Sequence, residues 1–127
     1  MQADREVIFG TNRLWSSKLS LIQQLFSTSK VMCCVRSVAW IMDSIELLAS
    51  KKSFDVSRLF NNPTERATVY TRTETLSQVG RLVGFAYNAL KEAFYSEYSS
   101  RLLLVDCDLL AQKQAQVLHL IYHFLEE

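Results

Sequence analysis

The stretch Lys30-Val31-Met32-Cys33-Cys34-Val35-Arg36, set behind the polar Ser27-Thr28-Ser29, decides how this chain is read. A short apolar run bounded by turn-forming residues predicts a buried parallel strand rather than a helix. Arg36 then falls at the strand's carboxyl end, the side on which open α/β sheets hold their ligands. Ser37 is in position to cap a following helix whose apolar face carries Trp40, Ile41, Ile45, Leu47 and Leu48. Ser44 lies eight positions after Arg36, on the first or second turn of that helix. A guanidinium, a hydroxyl and a helix amino-terminus together make up a phosphate site. The plainer alternative pairs Arg36 with a carboxylate and leaves Ser44 facing solvent.

The same alternation extends in both directions. Val7-Ile8-Phe9 predicts a strand ending at the turn Gly10-Thr11-Asn12, and Trp15, Leu19, Ile22 and Phe26 mark the inner face of a helix from about Leu14 to Phe26. After the helix from about Val38 to Leu48, Lys51 to Asn62 reads as an irregular connection with one short helical turn. Pro63 opens the longest predicted helix, Thr64 to Tyr95, with Val69, Leu76, Val79, Val83, Ala86, Leu90 and Phe94 at helical spacing. Gly80 and Gly84 weaken it unless they admit a close neighbour. Arg101 to Asp106 predicts a third buried strand, and Ala111 to Glu127 a closing helix with Val117, Leu118, Ile121 and Leu125 inward. The expected fold is therefore α/β: a partial parallel sheet of about three strands, helix-rich, with an open edge, in a single domain.

Composition bounds what such a domain does. With 49% hydrophobic and 21% charged residues the chain is globular, and 14 basic against 13 acidic residues leave a net charge of +1. No bulk charge draws it to nucleic acid or to an anionic membrane, so any anion site is local. The charged start Met1 to Glu6 and the short apolar run after it fit neither a signal peptide nor a spanning segment, which makes the cytoplasm the expected compartment. Cys33, Cys34 and Cys107 form an odd set without metal-ligand spacing and read as small buried hydrophobes in a reducing environment.

The order strand, Asn12-Arg13-x-Trp15, helix, strand, Arg36, eight residues, Ser44, long helices, strand, Asp-x-Leu, helix resembles the carboxy-terminal half of bacterial-type sulfotransferases, over about Val7 to Leu125. Arg101 to Leu110 looks like that family's strand ending in Tyr-Glu-Asp-Leu. The resemblance implies that Arg36 and Ser44 hold the 3′-phosphate of 3′-phosphoadenosine 5′-phosphosulfate, the sulfate donor, with Asn12 or Arg13 lining the site. Two positions depart from the family pattern: Val38 stands where a proline is usual, and Cys107 where an aromatic is. The glycine-rich loop that would cradle the phosphosulfate, with Lys and Ser or Thr behind it, has no counterpart, since Gly10, Gly80 and Gly84 are the only glycines. The resemblance thus implies a truncated form that keeps the 3′-phosphate end of the donor site, with no catalytic base evident.

Other groupings carry less. His119 and His123 share a helix face but lack a third ligand, so no metal site is predicted. Asp106 and Asp108 bracket the third strand's exit, with Asp108 the expected helix cap. Trp15 reads as core rather than as an adenine platform, and Phe85, Tyr87, Phe94, Tyr95 and Tyr98 as core and rim. Cys33 is a nucleophile only if exposed with a lowered pKa. The alternative to a nucleotide domain is a noncatalytic interaction or oligomerisation domain, binding a partner chain or another copy through uncovered apolar faces.

Overall fold

The computed structural model describes residues 9–126. Among them two strands, β1 (Val31–Val35) and β2 (Leu102–Asp106), pair in parallel with Val31 opposite Leu102 and Val35 opposite Asp106. Helices surround this sheet: α1 (Leu19–Leu25), preceded by a 3₁₀ turn at Trp15–Lys18, then α2 (Val38–Lys51), α3 (Ser53–Ser57), α4 (Pro63–Arg66), α5 (Val69–Ser77), α6 (Leu82–Phe94), α7 (Cys107–Gln112) and α8 (Gln114–Glu126). The fold is helix-rich α/β, as the alternating pattern predicts. Two of the three predicted strands are described; Val7 and Ile8 of the predicted first strand lie outside the described residues, and Phe9 and Gly10 are irregular. No described helix is long and apolar enough to cross a membrane.

The predicted helix from Thr64 to Tyr95 is three helices, each break having a local cause. Thr68 and Thr71 form a reciprocal capping box, the Thr71 backbone N–H donating to Thr68 Oγ1 at 3.1 Å and the Thr68 N–H to Thr71 Oγ1 at 3.0 Å. Threonines that bind their own backbone compete with helix continuation, so α4 stops at Arg66 and α5 starts afresh at Val69. Gln78 and Arg81 are extended on either side of Gly80 and separate α5 from α6. The closing helix is likewise divided at Lys113, whose φ of −133° ends α7.

Apolar burial is concentrated in two clusters. Val56, Phe60, Leu76 and Val83 form one, with Ile41, Met42, Ile45 and Ala49 of α2 packed on it. Leu19, Val31 and Ala93 form the other, with Trp15, Ile22, Cys33, Tyr98 and Leu102 around them. Helix α6 contributes Val83 to the first and Ala93 to the second. Several predicted inward positions are instead exposed: Trp40, Leu47 and Leu48 on α2, Phe26 after α1, Val69 and Val79, and Leu118 and Leu125 on α8. The small residues Gly84, Ala89 and Ala93 form the buried stripe of α6, where the helical period had pointed to Ala86 and Phe94.

Across the first cluster, Arg72 of α5 clasps Glu46 of α2, Nε donating at 2.9 Å and Nη2 to the second carboxylate oxygen, while Nη1 donates to the Arg66 carbonyl at 2.6 Å. The hydrogen bonds from Arg72 hold the Glu46 pKa below its ordinary value. A carboxylate whose pKa is depressed on folding adds stability above its unfolded pKa and loses it as pH falls through the folded one. Because both side chains are partly exposed, the pair contributes about 1 kcal/mol. Glu46→Gln is therefore expected to lower neutral-pH stability by about that amount, and the gap from the parent should close in acid, as denaturant titrations at the two pH values would show.

Candidate functional site

At the carboxyl edge of the sheet, β1 and β2 deliver Arg36 and Asp106 side by side, each beside a helix start. Arg36 Nη2 donates to Asp108 Oδ1 at 2.8 Å, and its guanidinium carbon lies 3.3 Å from the centre of the Trp40 ring. The arginine is wedged between a carboxylate and an indole face, with about 29% of its side chain accessible. Its Nε is buried and has no hydrogen-bond acceptor among the described residues.

The neighbouring residues differ from their expected roles. Asp106, not Asp108, caps α7, its Oδ1 accepting from the Leu109 N–H at 2.8 Å, because a residue at the end of an extended strand has the backbone geometry of an N-cap. Asp108, in the first turn of that helix, is freed to meet Arg36. Ser37 sits at the N-cap of α2 without a side-chain cap bond. Ser44 is the seventh residue of α2, about 9 Å along the axis from Val38. It shares a helix face with Trp40 four residues earlier, and no hydrogen bond joins it to another described residue. Arg36 and Ser44 are thus set along one side of α2, with Trp40 between them, rather than in contact.

Asn12 and Arg13 lie elsewhere. Asn12 Oδ1 accepts from the Leu14 N–H at 2.8 Å in the turn before Trp15. Arg13 lines an open cleft of about 460 Å³ between α2 and α6, with Ile41, Ile45, Arg81 and Phe85. A second hollow of about 410 Å³ separates the 3₁₀ turn from the end of α6 and is lined by Ser16, Ser17, Ser20, Glu92 and Glu97. Arg36 and Ser44 line neither. Trp15 packs on the second apolar cluster, as predicted.

The three cysteines are free thiols, and Cys34 is exposed where the strand pattern predicts burial. Among the described residues β2 is the only strand paired with β1. Burial raises the Cys33 pKa, aided by nearby Cys34, so this thiol is not an activated nucleophile. Cys107 is raised by burial and by Cys34, with Arg36 pulling the other way. Among the described residues no three His, Cys, Asp or Glu side chains converge as metal ligands. Sequence reasoning missed the Trp40 stack, and it offered a carboxylate partner for Arg36 without naming Asp108. The first was legible in the four-residue spacing from Arg36 to Trp40, whereas the second needed the parallel register.

A scan against protein-family models and searches of curated proteins and of solved structures each return no match.

Proposed function

We propose that this chain is a sulfotransferase-like nucleotide domain that binds the 3′-phosphate end of 3′-phosphoadenosine 5′-phosphosulfate through Arg36 and Ser44. The observation that carries the reading is the partly accessible Arg36 guanidinium at the carboxyl edge of two parallel strands, stacked on Trp40. A phosphate oxygen can accept from the accessible part of this guanidinium in a charge-assisted hydrogen bond, in exchange for the Asp108 carboxylate. Trp40 restricts the guanidinium to one plane, which lowers the entropy lost on binding. The Ser44 hydroxyl lies farther along the same helix face and serves the outer side of the ligand.

Asp108 acts against this site. Its carboxylate competes with a phosphate for Arg36 and repels the ligand's charge. Sulfuryl transfer also needs charge stabilisation around the transferred group, and no lysine-bearing glycine loop is present in this sequence to provide it. The reading is accordingly one of donor-nucleotide recognition, with no turnover by these residues alone, in the cytoplasm, where free thiols persist.

Thermal unfolding with and without 3′-phosphoadenosine 5′-phosphate tests it. At a hundredfold excess over Kd the ligand is expected to add about 2.7 kcal/mol. Adenosine 5′-phosphate, lacking the 3′-phosphate, should give little shift, Arg36→Ala should abolish the response, and Asp108→Asn should enlarge it. A cooperative transition that the 3′-phosphorylated nucleotide leaves unmoved would remove the nucleotide reading.

A further inference from the structure

Two of the three cysteines meet at the carboxyl edge of the sheet. Successive side chains of a strand alternate between its two faces, and Cys34 stands opposite Val105 in the β1–β2 register. Cys107, two residues past Val105 and the first residue of α7, returns to the face that Cys34 and Arg36 share. The ion pair from Arg36 to Asp108, at 2.8 Å, holds the start of α7 over the exit of β1. There the Cys107 thiol is in hydrogen-bonding contact with that of Cys34. Cys33 alternates to the opposite face and packs on the cluster of Leu19, Val31 and Ala93.

The two thiols differ in access. Cys34 is exposed, whereas Cys107 is half-buried. That division suits a two-step oxidation, in which an accessible thiol meets the oxidant and a neighbouring one resolves the product. The Arg36 guanidinium favours the thiolate of Cys107, against the burial that disfavours it. Both sulfurs belong to segments already joined by the ion pair, so closing to the S–S bond length of about 2.05 Å requires side-chain rotation rather than refolding.

We infer that Cys34 and Cys107 form an oxidisable dithiol whose reactant is a hydroperoxide, hydrogen peroxide being the simplest. The Cys34 thiolate attacks one peroxide oxygen and the O–O bond breaks. Cys34 becomes a sulfenic acid, and the other oxygen leaves as hydroxide and takes the Cys34 proton to become water. The Cys107 sulfur then attacks the Cys34 sulfur, and the sulfenic hydroxyl leaves with the Cys107 proton as a second water. Two thiols thus give up two electrons and two protons, and one peroxide becomes two waters. The resulting bridge fastens the end of β1 to the start of α7, and a dithiol reductant reopens it. It requires no nucleotide at Arg36.

Trypsin cleaves after Lys30, Arg36, Arg101 and Lys113, which puts Cys33 and Cys34 on one peptide and Cys107 on another. The full folded chain, treated with a small excess of hydrogen peroxide, alkylated and mapped without reduction, is expected to show these two peptides joined. Dithiothreitol should separate them. Cys33→Ser should bridge like the parent, whereas Cys34→Ser, which retains only Cys33 beside Cys107, should bridge at least about tenfold less. In Cys107→Ser the oxidation should stop at the Cys34 sulfenic acid, which dimedone captures. Far-UV circular dichroism checks that each variant is folded, with Cys34→Ala taking the place of a serine variant that is not. Unfolding in urea should remove the difference between Cys33→Ser and Cys34→Ser. A folded parent that forms no such bridge overturns the proposal, as does a bridge that persists in Cys34→Ser at the parent's level or one found only between chains.

Discussion

Gly84→Ala is expected to destabilise the protein by about 3 kcal/mol, at the upper end of the cost of overpacking, while Gly80→Ala stabilises it by about 0.5 kcal/mol. The two glycines are four residues apart and look equivalent in the sequence. A methyl at Gly84 overlaps the backbone carbonyl oxygens of Ser77 and Gln78, whereas a methyl at Gly80 meets nothing. Backbone cannot swing aside as a flexible side chain does, so α6 would have to move away from the end of α5. Neither glycine has a positive φ, so the difference comes from space rather than backbone strain. Urea unfolding of both variants measures the contrast, and equal effects would mean that α5 and α6 do not approach as closely as described.

Truncating Leu76 to alanine is expected to cost about 3 kcal/mol, because a residue only 3% exposed leaves a cavity among Val56, Phe60 and Val83 that rigid neighbours fill poorly. Leu19→Ala should cost a similar amount in the other cluster. The clusters share no buried residue, so the double variant should lose the sum of the two. A loss clearly smaller than the sum would show that the first truncation already loosens the second cluster, with α6 as the element that links them.

Much of this fold is legible in the chain because its strands are short apolar runs between turn residues. Val31–Val35 and Leu102–Asp106 fall where the pattern predicts them, and so do α2 and the short helix at Ser53–Ser57. The breaks at Thr68 and at Gly80 were not legible from periodicity, since the apolar residues keep their spacing across both. What ends the helices is hydrogen bonding by Thr68 and Thr71 and the extended backbone of Gln78. Arg36 was legible as a strand-end cation. Its pairing with Asp108 was not, because it depends on which residues of two distant strands stand opposite each other. Exposure was the least legible property of all. Leu118 and Val117 are adjacent apolar residues, and only packing decides which one faces the sheet.

The parallel pairing of β1 with β2 carries a cost during synthesis. Val31 finds its partner in Leu102, about seventy residues later, and at about 5 to 20 residues per second a ribosome takes roughly 4 to 14 seconds to make that stretch. Through that interval the nascent chain holds an unpaired apolar strand, while the helices between the two strands can form from local contacts as they emerge. The segment Val31–Val35 is thus the part of the newborn protein with most need of shelter until Leu102–Asp106 has emerged.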